Sequence, residues 1–259
     1  MPPELETIHL DPSGLEARCY RSGAGQPLLF LHHLAGLVGW QPSLEKLSER
    51  FDVITPYQPG WGPAKDDLTS VDNGLDLVLF NLDLLAALGV ERANVAGIGV
   101  GAWIAAELAA LAPQRVDKLV LVSPLGIWRE EQPGEDPFAQ APGRGSAVLF
   151  ANPDRREELL MAGRSRIDVF VEEQLNLRAG AKFLWPIPDT GIERRLRRIK
   201  APTLIVTGGK DRVVPRYYGE LWRSAIAGSK LIDVPEAGHV FDLEQPEEFA
   251  RLVTGFVLG

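Results

Sequence analysis

Short, nearly continuous apolar runs recur along the chain, each bounded by glycine, proline or polar residues. Such runs are typical of strands that are covered on both faces, as in a parallel sheet. Segments with helical periodicity alternate with them, and this alternation predicts a doubly wound α/β fold with a mostly parallel central sheet flanked by helices. An alternating pattern near the N-terminus, over 6–23, predicts a leading hairpin. The other predicted strands are 27–32, 51–56, 94–99, 117–124, 201–208 and 229–235.

The strand rhythm breaks between residues 125 and 200. This stretch begins rich in proline and glycine and continues with amphipathic pieces, and strand-like runs resume only at 201. We interpret it as a mostly helical lid, because inserted segments of this kind shape substrate pockets and exclude water. The predicted division is therefore a core of residues 1–124 and 201–259, with a lid of residues 125–200.

Composition narrows the classes of function. The 259 residues carry a net charge of −8, and no long basic block is present, which argues against a nucleic-acid partner. Arg194 to Lys200 form the densest basic cluster, which we interpret as a solvated helix face. Cys19 is the only cysteine, so no disulfide can form within the chain, as expected of a reducing compartment. The chain shows no targeting signal and no apolar run long enough to cross a bilayer. We therefore expect a cytoplasmic protein without a membrane partner, of unknown oligomeric state.

Four motifs follow one another in a fixed order. They are FLHHLAG after an early strand, GIGVG between a strand and a helix at 97–101, GGKDRVVP after a late strand, and EAGHVFDLEQPEEF near the C-terminus. Together they resemble the α/β-hydrolase superfamily, in particular its bacterial members with a lid, and the resemblance covers essentially the whole chain. It implies an α/β-hydrolase fold.

In that family the centre of the strand–turn–helix carries the nucleophile, and here this position is Gly99. Glycine suits a turn whose central residue is held at positive φ, so we expect the turn to keep its shape. The resemblance assigns one oxyanion-hole donor to the N–H of Val100 and the other to the loop at His33 or Leu34. His33 stands where the family commonly has glycine, and its imidazole is expected either to donate a hydrogen bond or to pack.

The resemblance places the catalytic histidine at His239 and the acid that orients it at Asp211. A carboxylate that holds one ring nitrogen leaves the other free to act as a base. The alternative interpretations are a turn histidine, and an aspartate that caps the helix starting near Val214.

Substitutes for the nucleophile are few. Ser123 ends a strand but is not aimed at the oxyanion hole by the family geometry. No aspartate stands at the turn, so an aspartate nucleophile is not available there either. The glycines of the turn lack the spacing of a dinucleotide-binding loop, and we therefore predict no cofactor. The histidines at 9, 32, 33 and 239 show no metal-ligand spacing, so no metal is predicted either. Acidic residues near the lid are interpreted as a solvated face: Glu130, Glu131, Asp168, Glu172 and Glu173.

Three hypotheses remain open. The first is an enzyme in which a His239–Asp211 pair acts as general base without a covalent intermediate, in ester or lactone hydrolysis, C–C hydrolysis or a lyase-type reaction. Triad enzymes stripped of their triad keep roughly 10³–10⁴-fold acceleration, so ordinary serine-esterase turnover is not expected. The second is a ligand-binding protein on a hydrolase scaffold. The third is a serine hydrolase inactivated by an engineered serine-to-glycine change at the turn.

The expected substrate is a small apolar carbonyl compound bound between the strand ends and the lid. Aromatic residues are the candidates to line that site: Trp40, Trp128, Phe150, Phe170 and Trp185, with Trp103 and Phe183 as further candidates. Some of these seven residues must belong to the ordinary core, Trp103 first among them.

Overall fold

The computed structural model describes residues 2–11, 13–141, 145–161 and 163–259. Eight strands form one sheet in the order β1-β2-β4-β3-β5-β6-β7-β8. β1 and β2 form the predicted leading hairpin, β2 pairs antiparallel with β4, and all remaining neighbours are parallel. The predicted fold class is confirmed. The strands are β1 Glu6–Leu10, β2 Leu15–Ser22, β3 Gln26–Leu31, β4 Phe51–Pro56, β5 Ala93–Ile98, β6 Val116–Val122, β7 Thr203–Gly208 and β8 Lys230–Val234.

Helices cover both faces of the sheet because each parallel connection must cross from one end of the sheet to the other. The helices are α1 Pro42–Ser48, α2 Gly74–Ala87, α3 Val100–Leu111, α4 Arg156–Met161, α5 Arg166–Leu184, α6 Glu193–Leu196, α7 Arg216–Ala225, α8 Phe241–Glu244 and α9 Pro246–Leu258.

Alternate residues of β3 show how the core divides. Leu29 and Leu31 join the apolar cluster on the face of α2, α3 and α7, whereas Leu28 and Phe30 join the cluster on the face of α1 and α9. Successive strand residues point to opposite faces, so a strand buried on both sides must be apolar at every position. This is why the unbroken apolar runs predicted the central strands.

The segment between β6 and β7 carries α4, α5 and α6, and no named strand lies in its described part. Ser165 caps α5 by accepting a hydrogen bond from the backbone N–H of Asp168. Residues 142–144 and 162 of the predicted lid lie outside the described residues. The predicted boundaries of lid and core stay a prediction.

Among the residues that the structure describes, no helix is both long enough and apolar enough to cross a membrane.

Candidate active site

The turn between β5 and α3 is built from glycines that no other residue can replace without a shift. Gly99 has φ of +56°. A Cβ on Gly97 would lie 2.4 Å from the carbonyl oxygen of Gly101, and a Cβ on Gly101 would lie 2.1 Å from that of Leu31. Both obstacles are backbone atoms, which cannot rotate away. The sequence therefore enforces a tight strand–turn–helix at the carboxyl end of the sheet.

His239 and Asp211 meet at this end of the sheet although 28 residues separate them. His239 Nδ1 lies 2.9 Å from Asp211 Oδ2, and both side chains are buried. The other carboxylate oxygen, Oδ1, accepts the N–H groups of Val213 and Val214 at 2.9 Å each. Asp211 thus caps the turn before α7 and holds the imidazole at once, so the two interpretations offered by the sequence are compatible.

The imidazole of His239 fills the position that a side chain on residue 99 would need. A Cβ built on Gly99 would lie 2.4 Å from His239 Nε2. That nitrogen is buried and has no hydrogen-bond partner among the described residues. The ring itself therefore occupies the space beside Gly99. The free nitrogen faces the turn.

The two predicted oxyanion donors belong to segments that pack against each other. α3 begins at Val100, so the N–H of this residue points out of the helix end, where it has no intrahelical acceptor. The end of β3 packs on the same turn, since the carbonyl oxygen of His32 would lie 2.5 Å from a Cβ on Gly101. Leu34 follows in that loop, and its carbonyl oxygen accepts the indole N–H of Trp61 at 3.0 Å. The hole itself stays a prediction.

His32 is a structural residue of this loop. Its Nδ1 lies 2.9 Å from the carbonyl oxygen of His33, and its Nε2 accepts the backbone N–H of Gln58 at 3.0 Å. Burial lowers the pKa of His32 to about 4. The ring is therefore neutral, with the proton on Nδ1, and it fixes the backbone from which His33 projects.

A second imidazole–carboxylate contact lies in the same region, and sequence reasoning missed one half of it. His33 Nε2 lies 3.5 Å from Asp242 Oδ1, and both side chains are fully buried. Gln41 donates from Nε2 to the other oxygen of Asp242. Asp242 follows His239 by three residues, and this spacing was the only available signal.

Ser123 directly follows β6 next to the turn, and its backbone is strained. Its φ of +46° is unusual for a residue with a side chain. Its hydroxyl is buried and has no hydrogen-bond partner within the described part of the chain. The backbone after β6 is bonded to the turn, because the N–H of Leu125 donates to the carbonyl oxygen of Gly99 at 3.3 Å.

The acidic residues near the lid do not join this group. Glu173 is buried but accepts hydrogen bonds from Ser146 and Arg156. Glu172 pairs with Arg164. The others are exposed, as expected of a solvated face: Glu130, Glu131 and Asp168.

A largely apolar cavity lies beside the turn. Trp128, Phe138 and Tyr218 contribute aromatic side chains to it. Leu125, tied to Gly99, and Val213, bonded to Asp211, line its wall. Leu125 and Val213 thus connect the wall of the cavity to Gly99 and to Asp211, respectively.

Of the five aromatic residues predicted to line the substrate site, the structure brings only Trp128 to this cavity. Trp40 packs against Tyr20 and donates to Glu45 on the far face, and Phe150 is fully buried core. Phe170 lies on a groove with Arg156, and Trp185 is 60% exposed. Residue type alone could not separate these cases, since each depends on which way its helix or loop faces.

Within the described residues no group of three or more His, Cys, Asp or Glu side chains is arranged to hold a metal ion.

Comparisons with known proteins match this architecture. The profile described as "Alpha/beta hydrolase family" matches residues 28–252. The 2-hydroxy-6-oxo-6-phenylhexa-2,4-dienoate hydrolase of Comamonas testosteroni is 28% identical, covering 91% of this chain and 89% of its own. The 3-oxoadipate enol-lactonase 1 of Acinetobacter baylyi is 27% identical, covering 84% of this chain and 83% of its own. A meta-cleavage product hydrolase structure from Pseudomonas fluorescens superposes with a TM-score of 0.79 at 20% identity, covering 98% of this chain and 97% of that one.

Proposed function

This chain belongs to the α/β-hydrolase family, and on that premise we propose that it hydrolyses a small apolar carbonyl compound without a covalent intermediate. His239 acts as the general base. One observation carries the proposal: Nδ1 of His239 is held by Asp211 at 2.9 Å, while the buried Nε2 has no partner among the described residues and faces Gly99. A base needs such an oriented, unoccupied nitrogen.

Asp211 sets the tautomer. A carboxylate only accepts hydrogen bonds, so Nδ1 of His239 carries the proton and Nε2 keeps its lone pair. The N–H groups of Val213 and Val214 hold the other oxygen of Asp211. The carboxylate therefore cannot rotate without losing two hydrogen bonds, each contributing about 0.5–1.5 kcal/mol or more because the acceptor is charged.

The reaction balances without a side chain on residue 99. Nε2 of His239 takes a proton from water as the water oxygen bonds to the substrate carbonyl carbon. The carbonyl π electrons move onto oxygen, where the N–H groups of Val100 and Leu34 and the imidazole of His33 are the proposed donors. When the intermediate collapses, the leaving group takes the proton back from His239.

The class of substrate follows from the cavity. Its lining is mostly aliphatic and aromatic, with Trp128 and Phe138 as its flat surfaces. Such walls bind apolar groups through burial of surface, at roughly 25 cal/mol per Å². The names of the relatives include oxo-dienoate hydrolases and an enol-lactonase. For this chain we propose hydrolysis of C–C bonds beside a carbonyl group, of lactones and of esters. The segment 125–200 acts as the lid that excludes bulk water.

A ligand-binding protein is the second candidate, and the position of the His239 ring beside Gly99 favours it. The ring of His239 already occupies the place of a residue-99 side chain, which is compatible with a site that no longer turns over. Binding of a small aryl ketone without any hydrolysis of aryl esters or enol lactones would favour this candidate.

The deciding experiment compares His239→Gln with His9→Gln. His239 is buried at the turn and His9 is exposed on β1, so the pair separates a catalytic effect from a general effect of losing an imidazole. Hydrolysis is measured on a panel of phenyl esters, enol lactones and vinylogous 1,5-diketones. We expect His239→Gln to lower kcat by about 10²–10⁴-fold, since that is the usual contribution of a general base. His9→Gln should match the parent. Equal activity of all three proteins would overturn the proposal.

A further inference from the structure

The reaction above uses the imidazole of His33 but gives no role to Asp242, the buried carboxyl group beside it. Both side chains have zero exposure, and Nε2 lies 3.5 Å from Oδ1. This separation is longer than a normal hydrogen bond. Neither atom has another partner among the described residues. Buried polar atoms are rarely left unpaired, so the two atoms are each other's natural partner.

The carboxylate is fixed from behind. Gln41, at the start of α1, donates from Nε2 to Asp242 Oδ2 and also to Ser43 Oγ, the latter at 3.1 Å. Oδ2 is thereby occupied, and only Oδ1 remains for His33. Oδ2 therefore anchors the carboxyl group to Gln41, and Oδ1 is the oxygen that can exchange a proton with His33.

The surroundings decide where the pair keeps its proton. Burial raises the pKa of Asp242 to about 7, and the nearby charge of Glu244 adds to this. Burial also lowers the pKa of His33 well below its ordinary value, as do His32 and His239. α1 offers the neutral Gln41 and Ser43, and α9 presents Phe249 against α8. The neutral pair of carboxylic acid and imidazole is therefore the favoured form at mildly acidic pH.

We propose that Asp242 is a positioning residue that sets the tautomer of His33, and that His33 donates from Nδ1 to the oxyanion only while Asp242 is protonated. This inference rests on the proposed function. With Asp242 protonated, its O–H donates to Nε2, and Nδ1 carries the ring proton. When the pair loses a proton, Nε2–H donates to the carboxylate and Nδ1 becomes an acceptor that repels an oxyanion.

The amide variant Asp242→Asn gives the sharpest test. Gln41 would hold the amide oxygen, so the amide N–H₂ would face Nε2 of His33 and lock the donor tautomer at every pH. We expect hydrolysis by the parent protein to fall about tenfold per pH unit above pH ~7, because one proton is lost. Asp242→Asn should lack this fall. Asp233→Asn, which changes a carboxylate on β8, is the control and should keep it.

A spectroscopic measurement tests the same claim without turnover. ¹⁵N NMR of the His33 ring in the unaltered protein should show the proton on Nδ1 at pH 6 and on Nε2 at pH 9, and only on Nδ1 in Asp242→Asn. A ring that keeps one tautomer throughout, or that becomes imidazolium, overturns the inference even if His239→Gln abolishes hydrolysis. A tautomer exchange in a protein with no hydrolase activity would instead refute the proposed function and leave the coupling of Asp242 to His33 standing.

Discussion

The turn after β5 and the segment inserted after β6 differ in how they are held in place. At the turn, backbone atoms meet glycines so closely that an added Cβ on Gly101 would lie 2.1 Å from a carbonyl oxygen. The inserted segment is held through side chains: it buries apolar residues such as Leu160 and Leu184 in the core, and it adds ion pairs such as Arg156 with Glu173. It also leaves apolar side chains such as Ile167 in solvent.

This contrast indicates that the turn is rigid and that the inserted segment can adjust its side chains. Backbone packing fixes the groups that the proposed chemistry needs, because interiors at crystal-like density leave no room for adjustment. Side-chain ion pairs that are partly in water contribute less and can rearrange. Under the proposed function, the reacting groups lie in the tightly packed loops at the ends of β5, β7 and β8, whereas Trp128 and Phe138 of the insertion contribute aromatic contacts to the substrate. Three substitutions test this division, from the largest expected effect to the smallest.

Gly101→Ala should cause the largest loss. The methyl group meets the backbone carbonyl oxygens of Leu31, at the end of β3, and of His32, which follows it. Overpacking of this kind costs about 1–3 kcal/mol or more, so we expect an unfolding free energy lower by at least ~2 kcal/mol in urea titrations. The control is Gly255→Ala on α9, where an added Cβ meets no atom of the described residues within 4 Å. That change should raise stability by about 0.5–1 kcal/mol. Equal effects at the two glycines would contradict the account of the turn.

Glu173→Gln should act mainly on the insertion. Glu173 is only 5% exposed and accepts from both Ser146 and Arg156, so removing its charge weakens a mostly buried cluster. We expect faster hydrogen exchange and proteolysis in 145–161 and 163–184, with about 1–2 kcal/mol of lost stability, since Arg156 retains access to water. Glu157→Gln breaks the exposed pair with Arg166 and should change neither measurement. Faster exchange in β5 instead of the insertion would count against the division.

Trp128→Leu should have the smallest effect on folding and a visible effect on binding. Trp128 lines the cavity and is partly exposed, so the loss is one aromatic surface and not core packing. We expect the Kd of a small aryl ketone, measured by NMR titration, to rise about three- to tenfold, as roughly 1 kcal/mol of buried apolar area is removed. Trp185→Leu, at a residue 60% exposed, should leave that Kd unchanged. The reverse ranking would move the binding site away from the cavity.

The sequence was informative wherever one local rule governs a residue. Strands such as β5 are buried on both faces, so their apolar runs are visible without a structure. The glycines at 97, 99 and 101 predict a turn, because close backbone packing and a positive φ both require residues without a side chain. The pairing of His33 with Asp242 depends on how α8 docks beside the loop after β3, and no local pattern encodes that docking. The same holds for Trp185, whose exposure is set by the end of α5.

The position of the ring at 239 also limits which side chains residue 99 can accept. Any side chain introduced at 99 would place its Cβ 2.4 Å from Nε2 of that ring, so the imidazole would have to move aside to admit it. A hydroxyl introduced by Gly99→Ser would therefore meet a ring that has shifted against Asp211, and restoring the residue type alone would not restore the geometry of a triad.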